Sequence, residues 1–378
     1  MKKFVSLQIL LMLLFNQCSN YNELNSRYIY KSDSVIHVDI PSNISSTTRN
    51  IRYFEHNNNK YLAVENMHYK SIAIFDLTAK KFIKEIKPQI EGPNGIGSPM
   101  FGFDIINFDT IFIATKGMGN MLAIIDSSAK LITKINFNIS FSPYMPLPFL
   151  FSSFGNSICY NGKQIAINAV SRMAEEEFYE SDTCALGYIY DIEKQEQLNC
   201  ELKQPTIKNL KPEIIYSESC MLINDSKTIV SYELGHQIFV ASDNLWSIYN
   251  LKSKYVKKPF NPGFGNDIME SQTKFVESPS YLALVYDKYR KVYYRFVYPG
   301  IDVTRQDDVM KLGEFRRVFS VMIIDENFNV LGETLMPENT YNSNMFFVNE
   351  AGLWISTNHP ENPDFEEDAI NFQLFTLK

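Results

Sequence analysis

The stretch KYLAVENMHYKSIAIFDLTAKKFIKEIK, residues 60–87, sets a pattern that the rest of the chain repeats. It holds three short runs rich in β-branched and aromatic residues, separated by turn-forming residues, which is typical of consecutive antiparallel strands. Its central run, SIAIFD at 71–76, is echoed at residues 121–126, 187–191, 238–243, 321–325 and, more weakly, 372–376. A repeat of this size with four short strands per unit predicts a β-propeller.

The repeats predict a single all-β domain over residues 28–378. Its predicted fold is a six-bladed β-propeller of four-stranded antiparallel blades, with seven blades as the alternative. Residues 34–40 alternate like a strand but have no partner nearby, whereas the last repeat, with strands at 353–356 and 371–377, ends before a fourth strand. We therefore expect the N-terminal strand to complete the last blade, because this closes the ring and covers two sheet edges.

The first residues have the features of a secretory signal. Lys2 and Lys3 precede an apolar run, residues 4–15, that is too short to span a bilayer. Cys18 follows at the position of a lipidated bacterial lipoprotein cysteine, although Asn16 and Gln17 replace the small residues usual before it. We predict a signal peptide at 1–17, a tether at 18–27 and a lipid on Cys18; a plain secreted protein is the alternative. The predicted location is the cell envelope, on the periplasmic face or the cell surface.

The charge balance limits the class of partner. The chain has 36 Lys and Arg against 43 Asp and Glu, a formal net charge of −7, and removal of residues 1–17 would make it more acidic. An acidic surface repels polyphosphate and anionic headgroups, so nucleic-acid binding is not expected, and membrane contact is expected only through the lipid on Cys18.

Four further cysteines lie within the predicted domain: Cys159, Cys184, Cys200 and Cys220. In an oxidising compartment they could form two disulfides, with three possible pairings, or they could be buried free thiols. Their spacing contains no CxxC pair, so a thiol-bound metal is not expected, and the sequence indicates no other cofactor.

Connection lengths distinguish the two faces of the predicted ring. On one face the turns are short, and on the other several connections are long: 88–99, 138–152, 171–183, 252–272, 299–316 and 357–369. Loops longer than closure requires usually carry function, so a ligand or partner is expected on the long-loop face. Acidic residues cluster at 175–182, 302–308 and 361–368. These clusters could bind calcium or a cationic partner, or they could be solvated loops. The aromatic segment 138–152 is either an interaction patch or a segment packed over the mouth or between blades.

Six residues are candidate ligand contacts. His68, Lys116, His236 and His359 are predicted on the long-loop face, where a histidine could act as a ligand or general base. Tyr293 and Arg295 share one face of a predicted strand and could line the central channel. The alternative places Arg295 between blades, paired with a carboxylate. No HExxH or Gly-x-Ser-x-Gly motif is present, and the separation of paired carboxylates cannot be read from sequence.

Several segments together resemble one family. They are the lipoprotein-like start, GPNGIG at 92–97, LVYDKYR at 284–290 with YYR at 293–295, and IIDE at 323–326. They resemble the Bacteroidota lipoprotein family catalogued as domain of unknown function 4221, which is similar to TolB-like six-bladed propellers. The resemblance covers nearly the whole chain. It implies the ring and the envelope location, and it supplies no catalytic residues, because the family has no established activity.

The sequence therefore predicts a lipid-anchored propeller that acts as a binding or assembly module at the cell envelope. The expected partner is an envelope protein or a glycan, met on the long-loop face. A rigid ring that presents sets of loops suits recognition without bond-making. The alternative is a glycan hydrolase or lyase with its site in the funnel of the ring.

Overall fold

The structure is a computed structural model. It describes residues 27–115, 121–137, 149–151, 158–170, 187–198, 219–224, 227–242, 245–260, 266–305 and 307–378. The described strands form six antiparallel sheets, which are the blades of a β-propeller. The first strand along the chain, β1 (Ile29–Asp39), belongs to the last blade. The six-bladed prediction is confirmed and the seven-bladed alternative is wrong.

Blades 1 to 3 follow one another along the chain. Blade 1 consists of β2 (Ile51–His56), β3 (Asn59–Asn66), β4 (Ser71–Asp76) and β5 (Lys81–Ile86). Blade 2 consists of β6 (Met100–Asn107), β7 (Thr110–Thr115), β8 (Met121–Ile125) and β9 (Leu131–Asn136). In blade 3 the first strand is divided into β10 (Phe149–Phe151) and β11 (Cys159–Tyr160), which both pair with β12 (Gln164–Val170); β13 (Gly187–Asp191) and β14 (Glu196–Leu198) complete it.

Blades 4 to 6 contain the remaining strands. Blade 4 consists of β15 (Ser219–Asn224), β16 (Lys227–Tyr232), β17 (Gln237–Ser242) and β18 (Leu245–Asn250). Blade 5 consists of β19 (Ser280–Asp287), β20 (Val292–Tyr298), β21 (Ser320–Asp325) and β22 (Val330–Leu335). Blade 6 consists of β23 (Asn342–Val348), β24 (Leu353–Ser356), β25 (Ala369–Leu377) and β1; β23 is a strand in addition to those predicted for this blade.

The N-terminal strand closes the ring as expected. It pairs antiparallel with β25, from Ile29 opposite Leu377 to Asp39 opposite Ala369, with one register shift between Lys31 and Val35. First strands of neighbouring blades contact one another, β2 with both β6 and β23, and β15 with β19. These contacts place the first strands at the centre of the ring and β1 at its rim.

Packing between blades explains the repeated sequence pattern. Every residue of β4 before Asp76 is buried, and so is every residue of β20, because a blade packs against a neighbour on each face. Strands buried on both faces are nearly continuous in apolar residues. The outer strands β5 and β18 expose more of their residues, which is why their sequences lack the SIAIFD-like run.

The recurring aspartate holds the turn after the third strand of a blade. The carboxylate of Asp76 accepts hydrogen bonds from the backbone N–H groups of Thr78 and Ala79, each at 2.8 Å. Asp126, Asp191 and Asp325 accept equivalent bonds from residues two to four positions later. This arrangement satisfies backbone donors that the turn would otherwise leave without an acceptor. These residues are therefore turn-forming, and Asp243 lies outside the described residues.

Two helices in the described ranges stand on the long-loop face, which is called the loop face below; the opposite face is called the plain face. Helix α1 (Ile268–Glu277) connects blades 4 and 5, and α2 (Val309–Glu314) lies within blade 5. The predicted long loops 252–272 and 299–316 include the first half of α1 and all of α2, so the prediction of loops is wrong for those residues. Asp267 and Asp308 cap the helices by accepting hydrogen bonds from backbone N–H groups of the first turn. Neither helix is long and apolar enough to cross a membrane, and no other helix in the described ranges is either.

Candidate functional site

The structure brings His236 and Arg295 into contact, but it does not gather the five described candidates into one site. His68 is exposed in the turn after β3, with its ring 4.7 Å from the ring of Tyr69. Lys116 lies outside the described residues. His236, Tyr293, Arg295 and His359 are half-buried or buried within blades 4, 5 and 6.

Arg295 is packed between blades 4 and 5 and does not line an open channel. The residue is fully buried, and its guanidinium carbon lies 3.7 Å from the centre of the Tyr281 ring. Its N–H groups donate to the Ser231 hydroxyl and to backbone carbonyls of blade 4 and the segment after it: Gly235, His236, Gln237 and Leu251. Burial lowers its pKa to about 9, so the group stays charged near neutral pH. The interpretation of an arginine stacked between blades describes this geometry, with carbonyls as the acceptors shown here.

Tyr293 lies beside Arg295 along β20 and is also buried. Its hydroxyl accepts a hydrogen bond of 2.9 Å from Asn224, and its ring stacks on Phe328 at 5.6 Å. Because Phe328 lies in the turn before β22, this contact is towards the plain face. Tyr293 therefore packs blade 5 against blade 4.

The two remaining histidines are held inside the loop face. Nδ1 of His236 lies 2.7 Å from the Tyr281 hydroxyl, and burial, together with Lys252 and Arg295, lowers the pKa of this histidine. His359 is 1% exposed, and burial lowers its pKa as well. Its Nδ1 accepts from the Glu361 backbone N–H at 3.2 Å, while Nε2 has no hydrogen-bond partner within the described ranges.

A partly enclosed cavity of about 80 Å³ lies on the loop face where blades 4, 5 and 6 meet. Its walls are formed by residues of β19, β20 and β23, by both helices, and by the segments that follow β16 and α2. The lining side chains on which the chemistry depends are Glu233, Phe275, Leu282, Tyr298, Arg316 and Asn344. Glu233, Tyr298, Arg316 and Asn344 are themselves buried. A cavity lined by buried charges of both signs is the strongest candidate for a binding site in the described parts of the chain.

Arg316 is the most distinctive group in this cavity. Its guanidinium carbon lies 4.2 Å from the centre of the Phe275 ring and 5.0 Å from that of Tyr298. Within the described ranges its side-chain N–H groups have one hydrogen-bond acceptor, the Phe275 carbonyl, at 3.4 Å. That distance is long for a hydrogen bond, and a guanidinium has five N–H donors. Burial lowers the pKa of Arg316, and nearby Tyr298 and Glu233 oppose the shift.

The other polar groups of the cavity are held by contacts with the surrounding blades and helices. The Tyr298 hydroxyl lies 2.7 Å from that of Ser343, and Asn344 donates to the Glu314 carbonyl at 2.8 Å. The Glu314 carboxylate, at the end of α2, pairs with Arg49 at 3.4 Å. The polar walls are thus fixed by the scaffold, which favours a preformed site.

Two glycines allow the helices to approach the ring closely. Gly300 has φ +72°, and a Cβ there would lie 2.3 Å from the Glu277 carbonyl oxygen at the end of α1. Gly313 in α2 lies against Gln272 of α1, so the two helices pack on each other beside the cavity. These helices carry four exposed apolar side chains, Ile268, Met269, Met310 and Phe275, of which Phe275 lines the cavity.

The described acidic clusters form ion pairs with basic residues. Asp302 pairs with Lys258 at 2.6 Å, Asp307 pairs with Arg317, and Glu361 pairs with Lys311. Among the described residues no three His, Cys, Asp or Glu side chains come together as a metal site would require. The cluster at 175–182 and most of the aromatic segment 138–152 lie outside the described residues.

Two of the four cysteines are described, and both are buried free thiols. Cys159 donates to the Met221 carbonyl at 3.0 Å, and Cys220 donates to that of Leu284 at 3.4 Å. Burial, with a smaller contribution from Cys159, raises the pKa of Cys220 to about 12, so this thiol is protonated and unreactive. Cys184 and Cys200 lie outside the described residues.

With the ring and its cavity in place, comparison with known proteins identifies the family. The family model described as Domain of unknown function (DUF4221) matches residues 24–335. The chain belongs to the DUF4221 family. A solved member of DUF4221 from Bacteroides vulgatus is 24% identical, with a TM-score of 0.78 over 94% of this chain and 99% of that one. The family resemblance drawn from the sequence is therefore confirmed.

A second solved structure shares the fold at lower similarity. It is described as a putative exported protein from Bacteroides fragilis, and it is 9% identical, with a TM-score of 0.53 over 95% of this chain and 98% of that one. No curated protein matched the sequence. These comparisons establish the fold and the DUF4221 family and leave the activity to be argued from the site.

Sequence reasoning about this DUF4221 member missed the residues that form the cavity. Glu233, Phe275, Arg316 and Asn344 are far apart in sequence and belong to no motif. One signal was present: two long connections, 252–272 and 299–316, flank the blade 5 hairpin, and both helices arise from or beside them. The long connections thus indicated the face on which the cavity lies but not the side chains that line it.

Proposed function

We propose that this protein is a lipid-anchored binding or assembly module of the cell envelope that engages its partner on the loop face. One observation carries the proposal. The cavity with buried Glu233 and Arg316 lies on that face, under two helices that the ring itself does not require. The plain face carries short turns capped by their own aspartates. Long loops and added helices on one face of a rigid scaffold are typical of a recognition surface.

The location in the envelope is supported by the N-terminal sequence and by the family. Lys2, Lys3 and the apolar run precede Cys18 as in a lipoprotein signal. The fold relative from Bacteroides fragilis is described as a putative exported protein, which agrees with this location. The partner is an envelope protein or a glycan.

The course of β1 supports an orientation for the anchored ring. Ala369 follows the loop-face connection between β24 and β25, so Asp39, opposite it, is at the loop-face end of β1. Ile29 is therefore at the plain-face end, where the chain enters the ring. A tether of residues 18–27 reaches roughly 35 Å when fully extended. A lipid on Cys18 would hold the plain face near the bilayer and leave the loop face directed away from it.

Lipidation is tested by metabolic labelling with radioactive palmitate. We expect the full-length protein to incorporate label and the Cys18→Ser variant to incorporate none. Equal labelling of the two proteins, or no labelling of either, would contradict the anchor.

Use of the loop face is tested by site-specific photo-cross-linking in living cells. A photoreactive residue replaces Met269 or Met310 on the loop-face helices or, as matched controls, exposed Thr78 or Lys288 in plain-face turns. We expect cross-linked species from the two loop-face positions and few from the controls. Cross-links confined to the plain-face positions would refute the assignment of the binding face.

A further inference from the structure

We propose that the cavity between blades 4, 5 and 6 binds an acetamido group, with its carbonyl oxygen accepting from Arg316 and its N–H donating to Glu233. This inference rests on the proposed function, because it names the ligand chemistry of the loop face. Three properties of the cavity favour this group: its charge, its size and the kinds of atoms in its walls.

The charge of the cavity favours a neutral ligand. Its walls carry one buried cation, Arg316, and one buried carboxylate, Glu233, which influence each other electrostatically. The carboxylate of Glu314 is half-exposed and pairs with Arg49 outside. Bringing an anion or a cation into this balanced environment would leave one buried charge uncompensated, which is costly. A neutral group with both a hydrogen-bond acceptor and a donor avoids this cost.

The size of the cavity limits which neutral groups fit. At about 10–15 Å³ for each water-sized occupant, a cavity of about 80 Å³ holds roughly five to eight such occupants. An acetamido group is smaller than that and fits inside, whereas a whole hexose is larger than the cavity. The remainder of a larger ligand would stay outside, at the mouth formed by the helices, where the ring of Phe275 is 41% exposed.

The walls supply a partner for each part of the group. Arg316 has N–H donors that the protein leaves without an acceptor in the described ranges, and a carbonyl oxygen would complete them. A carboxylate accepts several hydrogen bonds, so Glu233 can accept from an amide N–H in addition to its other contacts. Phe275 and Leu282 provide apolar surface for the methyl group. A hydroxyl pair would leave that apolar surface uncovered.

Titration calorimetry with N-acetylglucosamine tests the proposal, with glucosamine and glucose as controls that lack the acyl group. N-acetylalaninamide forms a second arm that carries the same acetamido chemistry on an amino acid. We expect N-acetylglucosamine or N-acetylalaninamide to bind roughly tenfold or more tightly than the controls, and the tighter of the two identifies the source of the group. Equal binding of glucosamine, or binding of neither acetylated probe, would overturn the proposal.

Variants attribute the binding to the cavity. Arg316→Met should weaken binding roughly tenfold or more, and Glu233→Gln should weaken it less, because an amide oxygen still accepts a hydrogen bond. The adjacent Arg317, which pairs with Asp307 outside the cavity, provides the matched control, and Arg317→Met should leave affinity unchanged. Circular dichroism verifies that each variant is folded. Equal losses in Arg316→Met and Arg317→Met would overturn the assignment to this cavity.

A second readout does not depend on folding of the variants. In the unaltered protein, the acetyl methyl proton of bound N-acetylglucosamine should shift upfield, because the rings of Phe275 and Tyr298 flank the cavity. An unshifted methyl signal under saturating ligand would overturn the proposal. If the acetylated probes do not bind but the loop-face cross-links are observed, only the ligand class is refuted. If the acetylated probes bind but the cross-links are absent, only the proposed partner surface is refuted.

Discussion

Truncating the two buried side chains of β1 should open the ring at its closing strand. Ile29 is 3% exposed and belongs to the hydrophobic cluster that contains Tyr341 and Phe375, while Val38 is 1% exposed and belongs to the cluster that contains Ile51 and Phe372. The two residues thus join different hydrophobic clusters at opposite ends of the same strand. Their contributions should therefore add, because distant sites without shared partners are independent.

The expected loss of stability is large for two substitutions. Ile29→Ala should cost about 2–5 kcal/mol, and Val38→Ala about 1.5–3 kcal/mol, from lost apolar burial and the cavities left behind. The double variant should lose roughly 3.5–8 kcal/mol, which is a large part of the roughly 5–15 kcal/mol that holds a typical native protein together. Urea unfolding measures the loss, and hydrogen exchange should accelerate at the β25 amides that pair with β1.

Val35 provides the matched control on the same strand. It is 61% exposed, so Val35→Ala should change stability by no more than about 0.5 kcal/mol. If Ile29→Ala and Val38→Ala behaved like Val35→Ala, and β25 stayed protected from exchange, the N-terminal strand would not be part of the last blade in solution.

Three further predictions concern single residues. Gly300→Ala should lower the free energy of unfolding in urea by about 2–4 kcal/mol, because the positive φ and the nearby Glu277 carbonyl both oppose a Cβ. Gly92→Ala, with φ +86° but open space around it, should lower it by about 1–2 kcal/mol. Equal losses in the two variants would contradict the close approach at Gly300. Arg295→Met should lower the free energy of unfolding by about 3 kcal/mol, because it leaves buried carbonyls without donors. An unchanged free energy of unfolding would show that these hydrogen bonds are dispensable. The hydrogen bond to Asn371, aided by nearby carboxylates, raises the pKa of His37 above 6.5. Protonated His37 should therefore stabilise the folded protein below pH 6.5, and this contribution should be lost as the pH rises through the raised pKa. If His37→Gln had the same dependence of stability on pH as the unaltered protein, this prediction would be contradicted.

The ring could be predicted from sequence because the third strand of each blade is constrained locally. Burial on both faces imposes the apolar run of SIAIFD, and the following turn imposes the aspartate. Closure could be predicted from complementary defects, an early strand without a partner and a last repeat without its fourth strand. Both kinds of signal lie within short windows, where sequence and structure correspond closely.

The helices and the cavity could not be predicted in the same way. Helix α1 buries only Val276, and its start depends on the cap at Asp267, a residue type that is equally common in loops. Arg295 and Arg316 look alike in sequence, both near aromatic residues, yet carbonyls of blade 4 receive the N–H groups of Arg295, while those of Arg316 face a cavity. That difference arises only when three blades and two helices meet in space.

A crystal structure of the protein soaked with N-acetylglucosamine tests the cavity as a binding site most directly. We expect ligand density on the loop face, with the acetamido carbonyl oxygen within about 2.7–3.2 Å of an Arg316 guanidinium nitrogen and its N–H directed at Glu233. An ordered ligand on the plain face, with only water between Arg316 and Glu233, would contradict it.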